Sequence, residues 1–182
     1  YCPKIIDYKK NMYAYKFVRG NTLSNNVTTE NFKFFLDYLK EFHTPYPKTK
    51  KFLSNCMKFY KEKTNNRVKE YFIRFGLQDN GREVINGQKT NSIHNLLEKL
   101  NWNWISDGIP VRFHGDLHFE NILLKKNKFY FLDWRQDFSK LKNCGDLYYD
   151  LAKLMHGIII DHNKVSKNLY GIKKMVNQLY LN

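Results

Sequence analysis

Cysteine is scarce in this 182-residue chain: Cys2, Cys56 and Cys144 are widely spaced, odd in number, and form no Cys-x-x-Cys pair. That excludes a disulfide scaffold or a zinc ribbon and points to a reducing compartment, the cytoplasm. No apolar run nears the roughly 20 residues of a membrane span. Ile158-Ile159-Ile160 is closed off by Gly157 and Asp161. No signal-peptide pattern opens the chain either. Acidic residues are also few, 17 against 31 lysines and arginines, leaving a formal charge of +14. A nucleic-acid partner is the first thought, but no RRM, zinc-finger or helix-turn-helix signature is present. Only six of the basic residues are arginine, and the lysines scatter along the chain rather than forming a run. The abundance of Lys, Asn, Ile, Tyr and Phe together is the blend of an AT-rich genome. Most of the charge therefore reads as a solvated surface. What remains favours an anionic small molecule over a cationic one.

What is present describes a folded domain. The hydrophobic fraction is 42% and aromatics make up 16%, enough for a substantial core. Residues 28–43 read as a helix, with Thr28 or Thr29 as cap, Glu30 in the first turn, and Phe32, Phe35, Leu36, Leu39 and Phe42 at helical spacing. Helical patterning resumes over 51–75, with Asn65-Asn66 as an interruption, and again over 92–102. Gly76 to Gly87 reads as a loop. From Ile109 the period changes. Pro110–Phe113 is extended, and Ile122–Leu124 and Phe129–Leu132 form a hairpin across Lys125–Lys128. Helices return near Asp146, a capping residue, and at 164–180, where Leu169, Ile172, Met175, Val176 and Leu179 align. The class is α+β and mostly helical.

The sharpest signal is His114-x-Asp116-x-x-x-x-Asn121, followed by Asp133 at the end of the next strand. Transfer of a phosphoryl group to a hydroxyl needs a carboxylate to orient the acceptor and take its proton. It also needs oxygen ligands for Mg²⁺. Asp116 fits the first role, Asn121 and Asp133 the second, and the hairpin brings all three to one end. A lone loop aspartate is ordinarily a turn or cap residue; the three in register favour catalysis. His114-x-Asp116-x-His118 also admits a transition-metal site, disfavoured because further Cys or His ligands at usable spacing are missing. Arg135 is a possible phosphate contact, with a surface salt bridge as the equal alternative.

His114-Gly115-Asp116-Leu117-His118-Phe119-Glu120-Asn121-Ile122-Leu123 resembles the signature of the aminoglycoside phosphotransferase and choline kinase family, small-molecule kinases of protein-kinase-like fold. Phe131-Leu132-Asp133-Trp134 is similar to that family's metal-binding step, and Gly145-Asp146-Leu147-Tyr148-Tyr149-Asp150-Leu151-Ala152 to its following helix start. The resemblance implies that His114 and His118 support the loop, that Asp146 caps its helix and braces the loop, and that Asp150 gives structural support. It also makes Lys16-Phe17-Val18-Arg19-Gly20 similar to a hinge whose backbone pairs with the nucleotide base. Lys16 and Arg19 stand there where acidic residues are common.

No G-x-G-x-x-G and no Val-Ala-Ile-Lys-like strand precedes the loop. The resemblance places those parts in an N-terminal lobe. The expectation is then the C-terminal lobe of a larger kinase: residues 1–22 a hinge or linker from a missing nucleotide lobe, and 23–182 the lobe itself. Within the lobe, 23–108 is a helical substrate region, 109–140 the catalytic loop and metal hairpin, and 144–182 the closing helices. The expected activity is Mg²⁺-dependent transfer from ATP or GTP to a hydroxyl of a sugar, amino alcohol or aminoglycoside. The isolated piece is expected to be inactive without its N-terminal lobe. The rivals are a non-catalytic kinase-like binding module and, ranked last, a basic nucleic-acid-binding protein.

Overall fold

The computed structural model describes residues 1–81, 84–85 and 87–159. The helix expected over 164–180 lies outside the described residues. The described residues form two compact units, 1–47 with those from 109 onward, and those within 48–108.

The first unit begins with an exposed hairpin, β1 (Ile5–Lys9) and β2 (Met12–Tyr15), a stretch the sequence reading treated only as linker. A two-residue strand β3 (Asn21–Thr22) follows. Helix α1 (Thr29–Phe42) starts where the Thr28 hydroxyl accepts the Asn31 N–H, which satisfies one of the helix's orphan donors. Its stripe buries Phe35, Leu39 and Phe42, whereas Leu36 lies toward solvent.

The second unit is helical. Helix α2 (Lys50–Met57) is capped by Thr49 and continues through one π turn, Lys58–Glu62, into α3 (Lys63–Phe75). Asn65-Asn66 therefore does not interrupt the helix. Asparagine costs a helix only a few tenths of a kcal/mol more than its neighbours, and the irregularity falls on the π turn around buried Phe59 instead. Gly76, at φ +60°, ends α3 in the left-handed conformation suited to a residue without Cβ. Within the expected loop lies a short hairpin, β4 (Val84–Ile85) with β5 (Gln88–Lys89); the Asn86-Gly87 step between them is a hairpin signal the sequence reading passed over. The helix expected over 92–102 is two pieces, α4 (Ile93–Glu98) and α5 (Trp102–Ile105). The side chain of Asn101 accepts the Trp104 N–H and so starts a new helix.

Back in the first unit, β6 (Pro110–Val111) leads to the motif loop. The hairpin β7 (Ile122–Lys125) and β8 (Lys128–Phe131) follows, with β3 on the outer side of β7. Strand β9 (Gly145–Asp146) pairs antiparallel with β6 and runs directly into α6 (Leu147–Ile159). The core of this unit joins Leu23, the α1 stripe, Leu117, Phe119, Ile122, Phe129, Phe131 and Leu154. Its aromatics meet edge to face; the Phe42 and Phe131 rings lie 4.8 Å apart at 86°, a geometry that stabilises beyond area alone. This α+β arrangement sets the motif loop on a rigid aromatic floor.

The expected effect of Phe129→Ala, which removes a fully buried ring, is a loss of about 3–5 kcal/mol in denaturant unfolding. Phe17, 81% exposed, should tolerate Ser within about 0.5 kcal/mol.

Candidate active site

The pairing of β6 with β9 sets the start of the motif loop beside the start of α6. Asp146 secures that junction: its carboxylate accepts the Ile109 N–H at 2.9 Å and the Tyr148 N–H at 3.2 Å. One helical turn on, Asp150 is fully buried beneath the loop. It accepts the N–H of His114 at 2.8 Å, the N–H of Gly115 at 2.7 Å, and Nε2 of His43 at 3.1 Å. The resemblance gave the bracing role to Asp146. In the structure the loop's own N–H groups go to Asp150.

His114 is the hub. Its buried ring donates through Nε2 to the Leu132 carbonyl at 2.7 Å, and Nδ1 accepts the Asp116 N–H at 3.2 Å. Both ring nitrogens are thereby used in the neutral form, so His114 has none left for a metal. Burial pushes its pKa below the ordinary histidine value, against the opposing pull of Asp150. The backbone carbonyl of His114 also accepts the Arg135 N–H at 2.9 Å. The segment from Leu132 to Arg135 is thus fastened to His114 at both ends. Asp133 lies between, at φ +53°, in the left-handed region that Asp tolerates better than most residues.

Gly115 is at φ +84°, and an added Cβ would overlap the Arg135 Cβ and the Phe113 ring. Glycine is required there on both counts.

Asp116 is half-buried, with its carboxylate held closely at Oδ1 and loosely at Oδ2. Lys153 of α6 donates to Oδ1 at 2.6 Å. Asn121 Nδ2 lies 3.4 Å and His118 Nε2 3.5 Å from Oδ2. Burial works to raise the Asp116 pKa, but the hydrogen bond and charge of Lys153, with the neighbouring histidines, outweigh it and hold the carboxyl below its ordinary value. Asn121 also donates to the Asp116 carbonyl at 3.0 Å. With the amide nitrogen turned into the loop, its carbonyl oxygen is the end left for a cation. Pairing of the Leu132 N–H with the Asn121 carbonyl sets Asp133 next to that residue along the backbone.

The donors suit magnesium. Asp133 is exposed, and among the described residues its carboxylate makes no hydrogen bond or ion pair. No group of three or more His, Cys, Asp or Glu among the described residues could cage a metal. One amide oxygen and one carboxylate match an ion that keeps waters and phosphates as its other ligands. Arg135 lies just beyond Asp133, with its Nε donating to the Asp137 carbonyl at 3.0 Å. His118 stands between Asp116 and Glu120.

Among the described residues, Lys16, Phe17 and Val18 share no hydrogen bond or ion pair with Asp116, Asn121 or Asp133. Phe17 is exposed, Val18 partly so, and the Lys16 N–H donates to the Lys4 carbonyl at the base of the β1–β2 hairpin. Two residues were missed by sequence reasoning. Nothing in the sequence marks His43, which arrives from the end of α1. Lys153 had a faint signal: it is three residues after Asp150, hence on the same helix face.

A model described as the phosphotransferase enzyme family matches residues 1–165. A Mycoplasma capricolum subsp. capricolum protein named "Protein LicA homolog" is 26% identical over 188 aligned residues, covering all of this chain and 68% of its own length. No solved structure matches the chain.

Asp150→Ala leaves two buried backbone donors unsatisfied, and should cost about 3–5 kcal/mol in urea unfolding. A pH effect follows from His114. Its folded pKa is depressed, so below the ordinary value of 6.5 the unfolded chain takes a proton that the folded chain refuses. Stability should therefore decline as pH falls from 6.5 toward the depressed folded value. Urea midpoints measured across that range should show the decline in the wild type and a shallower one in His114→Gln.

Proposed function

Because the chain belongs to the phosphotransferase enzyme family, we propose that it moves the terminal phosphate of ATP or GTP to a hydroxyl of a small molecule. A sugar, an amino alcohol or an aminoglycoside fits that description. The observation that carries the reading is the fastening of Asp116, Asn121 and Asp133 to one buried frame around His114 and Asp150.

In this reading Asp116 orients the acceptor hydroxyl and takes its proton late, when the oxygen has become acidic. A carboxylate of low pKa serves that role. The Asn121 carbonyl oxygen and the Asp133 carboxylate hold Mg²⁺, which when bound neutralises charge on the phosphates. Arg135 adds a phosphate contact, and the backbone of 16–18 meets the nucleotide base. Residues 23–182 act as the C-terminal lobe of a protein-kinase-like enzyme. In this reading catalysis is positioning and charge neutralisation, with no covalent enzyme intermediate implied. The protein works in the cytoplasm, in keeping with three cysteines that form no disulfide. Among the described residues no helix is long and apolar enough to cross a membrane.

The test is phosphoryl transfer by the full-length protein over a panel of hydroxylated acceptors, with Mg²⁺ present or chelated. Asp116→Asn should lower kcat by about 10²–10⁴-fold, and Asp133→Ala should remove the Mg²⁺-dependent rate. No transfer by any of the three proteins, with poor binding of Mg²⁺-nucleotide, would overturn the reading and leave a binding module. Salt-sensitive binding to any DNA or RNA in place of nucleotide would favour the nucleic-acid reading.

A further inference from the structure

The pair formed by Lys153 and Asp116 asks for an explanation beyond loop support. Asp150 and Lys153 are three residues apart on α6 and face the same side. Asp150 is locked under the loop backbone by three hydrogen bonds, so the helix delivers Lys153 to the mouth of the loop at a fixed height. There its ammonium lies 2.6 Å from Asp116 Oδ1, and the side chain is a third exposed. An ammonium has three donors. Among the described residues Asp116 is the sole partner of this one. The other two donors are left for a ligand at the partly exposed end of the side chain.

We propose that Lys153 is a catalytic cation, which holds Asp116 in the resting enzyme and donates to the equatorial oxygens of the phosphoryl group as it transfers. The proposal rests on the phosphotransferase reading above. Geometry gives the first reason. A hydroxyl bound to Asp116 sits about 2.7 Å from a carboxylate oxygen, and the phosphorus it attacks lies about 3–3.5 Å further on. The flexible four-carbon stem of Lys153 covers that span. The second reason is charge. Negative charge in the transition state spreads over three equatorial oxygens; Asn121, Asp133 and Asp116 offer them no hydrogen bond from a cation, and Arg135 already gives its Nε to the Asp137 carbonyl. The third is the looser hold on the carboxylate's second oxygen. Lys153 occupies Oδ1, while the contacts to Oδ2 are 3.4 Å and 3.5 Å, long enough to leave Oδ2 for the acceptor. In the step, the acceptor O–H bond breaks with its proton passing to Asp116 as the new O–P bond forms. The bond from phosphorus to the bridging oxygen breaks, and its electron pair leaves with the nucleoside diphosphate.

A purely structural clamp would move other quantities. The experiment compares full-length wild type with Lys153→Met, Lys153→Gln, Lys153→Arg and Asp116→Asn, each first checked for cooperative thermal unfolding. Lys153→Met should lower kcat by about 10²–10³-fold while the acceptor KM stays within about threefold. Lys153→Arg should recover part of the rate. Independently of turnover, calorimetry with Mg²⁺, ADP and aluminium fluoride, a planar mimic of the phosphoryl group, should show weaker binding in Lys153→Met, with Mg²⁺-ADP alone bound as before. Lys153→Gln reads the same quantities if the Met variant does not fold. The proposal is overturned if the mimic binds all variants alike, or if the loss appears in acceptor KM alone. It also falls alone if Asp116→Asn abolishes transfer while Lys153→Met keeps it. If the wild type itself transfers no phosphoryl group to any acceptor and binds the mimic no better than Mg²⁺-ADP alone, the phosphotransferase reading falls with it.

Discussion

The site depends on one buried carboxylate. Asp150 is wholly inside the protein, where an uncompensated charge would be costly. Its compensation comes from two consecutive backbone N–H groups of the motif loop and the ring of His43. The bargain runs both ways. A loop that must bend through a positive-φ glycine has few other ways to satisfy its donors away from water. Once His114 and Gly115 are fixed to Asp150, His114 fixes Leu132 and Arg135, and Asp133 is held between them. The same hydrogen bonds that hold the loop therefore set the spacing of the proposed metal ligands.

Beneath this polar frame the floor is aromatic. Phe131 and Trp134 both lie against the His114 ring, and Phe42 packs on both of them. That enclosure accounts for the neutral state of His114, because water that could solvate an imidazolium is excluded. It also accounts for the left-handed backbone at Asp133. A residue held in that region costs of order 1 kcal/mol and persists where its surroundings over-determine it. Here hydrogen bonds on both sides and the packed indole of Trp134 do so. Polar precision at the loop is bought with apolar packing below it.

Much of the architecture was legible because periodicity is a local property. The α1 stripe and the β7–β8 hairpin could be read from residue spacing, the start of α6 from its capping aspartate, and the motif loop from its residue types. What was not legible depends on contacts distant in sequence. His43 meets Asp150 across 107 residues, and no local pattern announces such a partner. The π turn at Lys58–Glu62 is another case. The sequence offers Asn65-Asn66 as the weak point, yet the helix widens where Phe59 is buried, because packing outweighs a few tenths of a kcal/mol of propensity. The opening hairpin was missed for the opposite reason. Ile5, Ile6, Tyr8, Met12 and Tyr13 are all exposed, so no alternation of buried and exposed residues marks the strands.

The charge of the chain takes on a different meaning at the loop than in the sequence as a whole. Thirty-one basic residues against 17 acidic ones describe a surface, and most of those side chains are solvated. Lys153 differs because a helix turn anchored by Asp150 carries it to Asp116. A carboxylate beside an ammonium stays ionised at lower pH than it otherwise would, yet it is also a weaker base. That trade is unfavourable for an enzyme that must pull a proton from an unactivated alcohol. It is tolerable for phosphoryl transfer through a loose transition state, where the acceptor proton leaves late and orientation matters more than basicity. The acid-shifted Asp116 and the cation beside it are thus two aspects of one arrangement, suited to a reaction whose main demand is to place and neutralise negative charge.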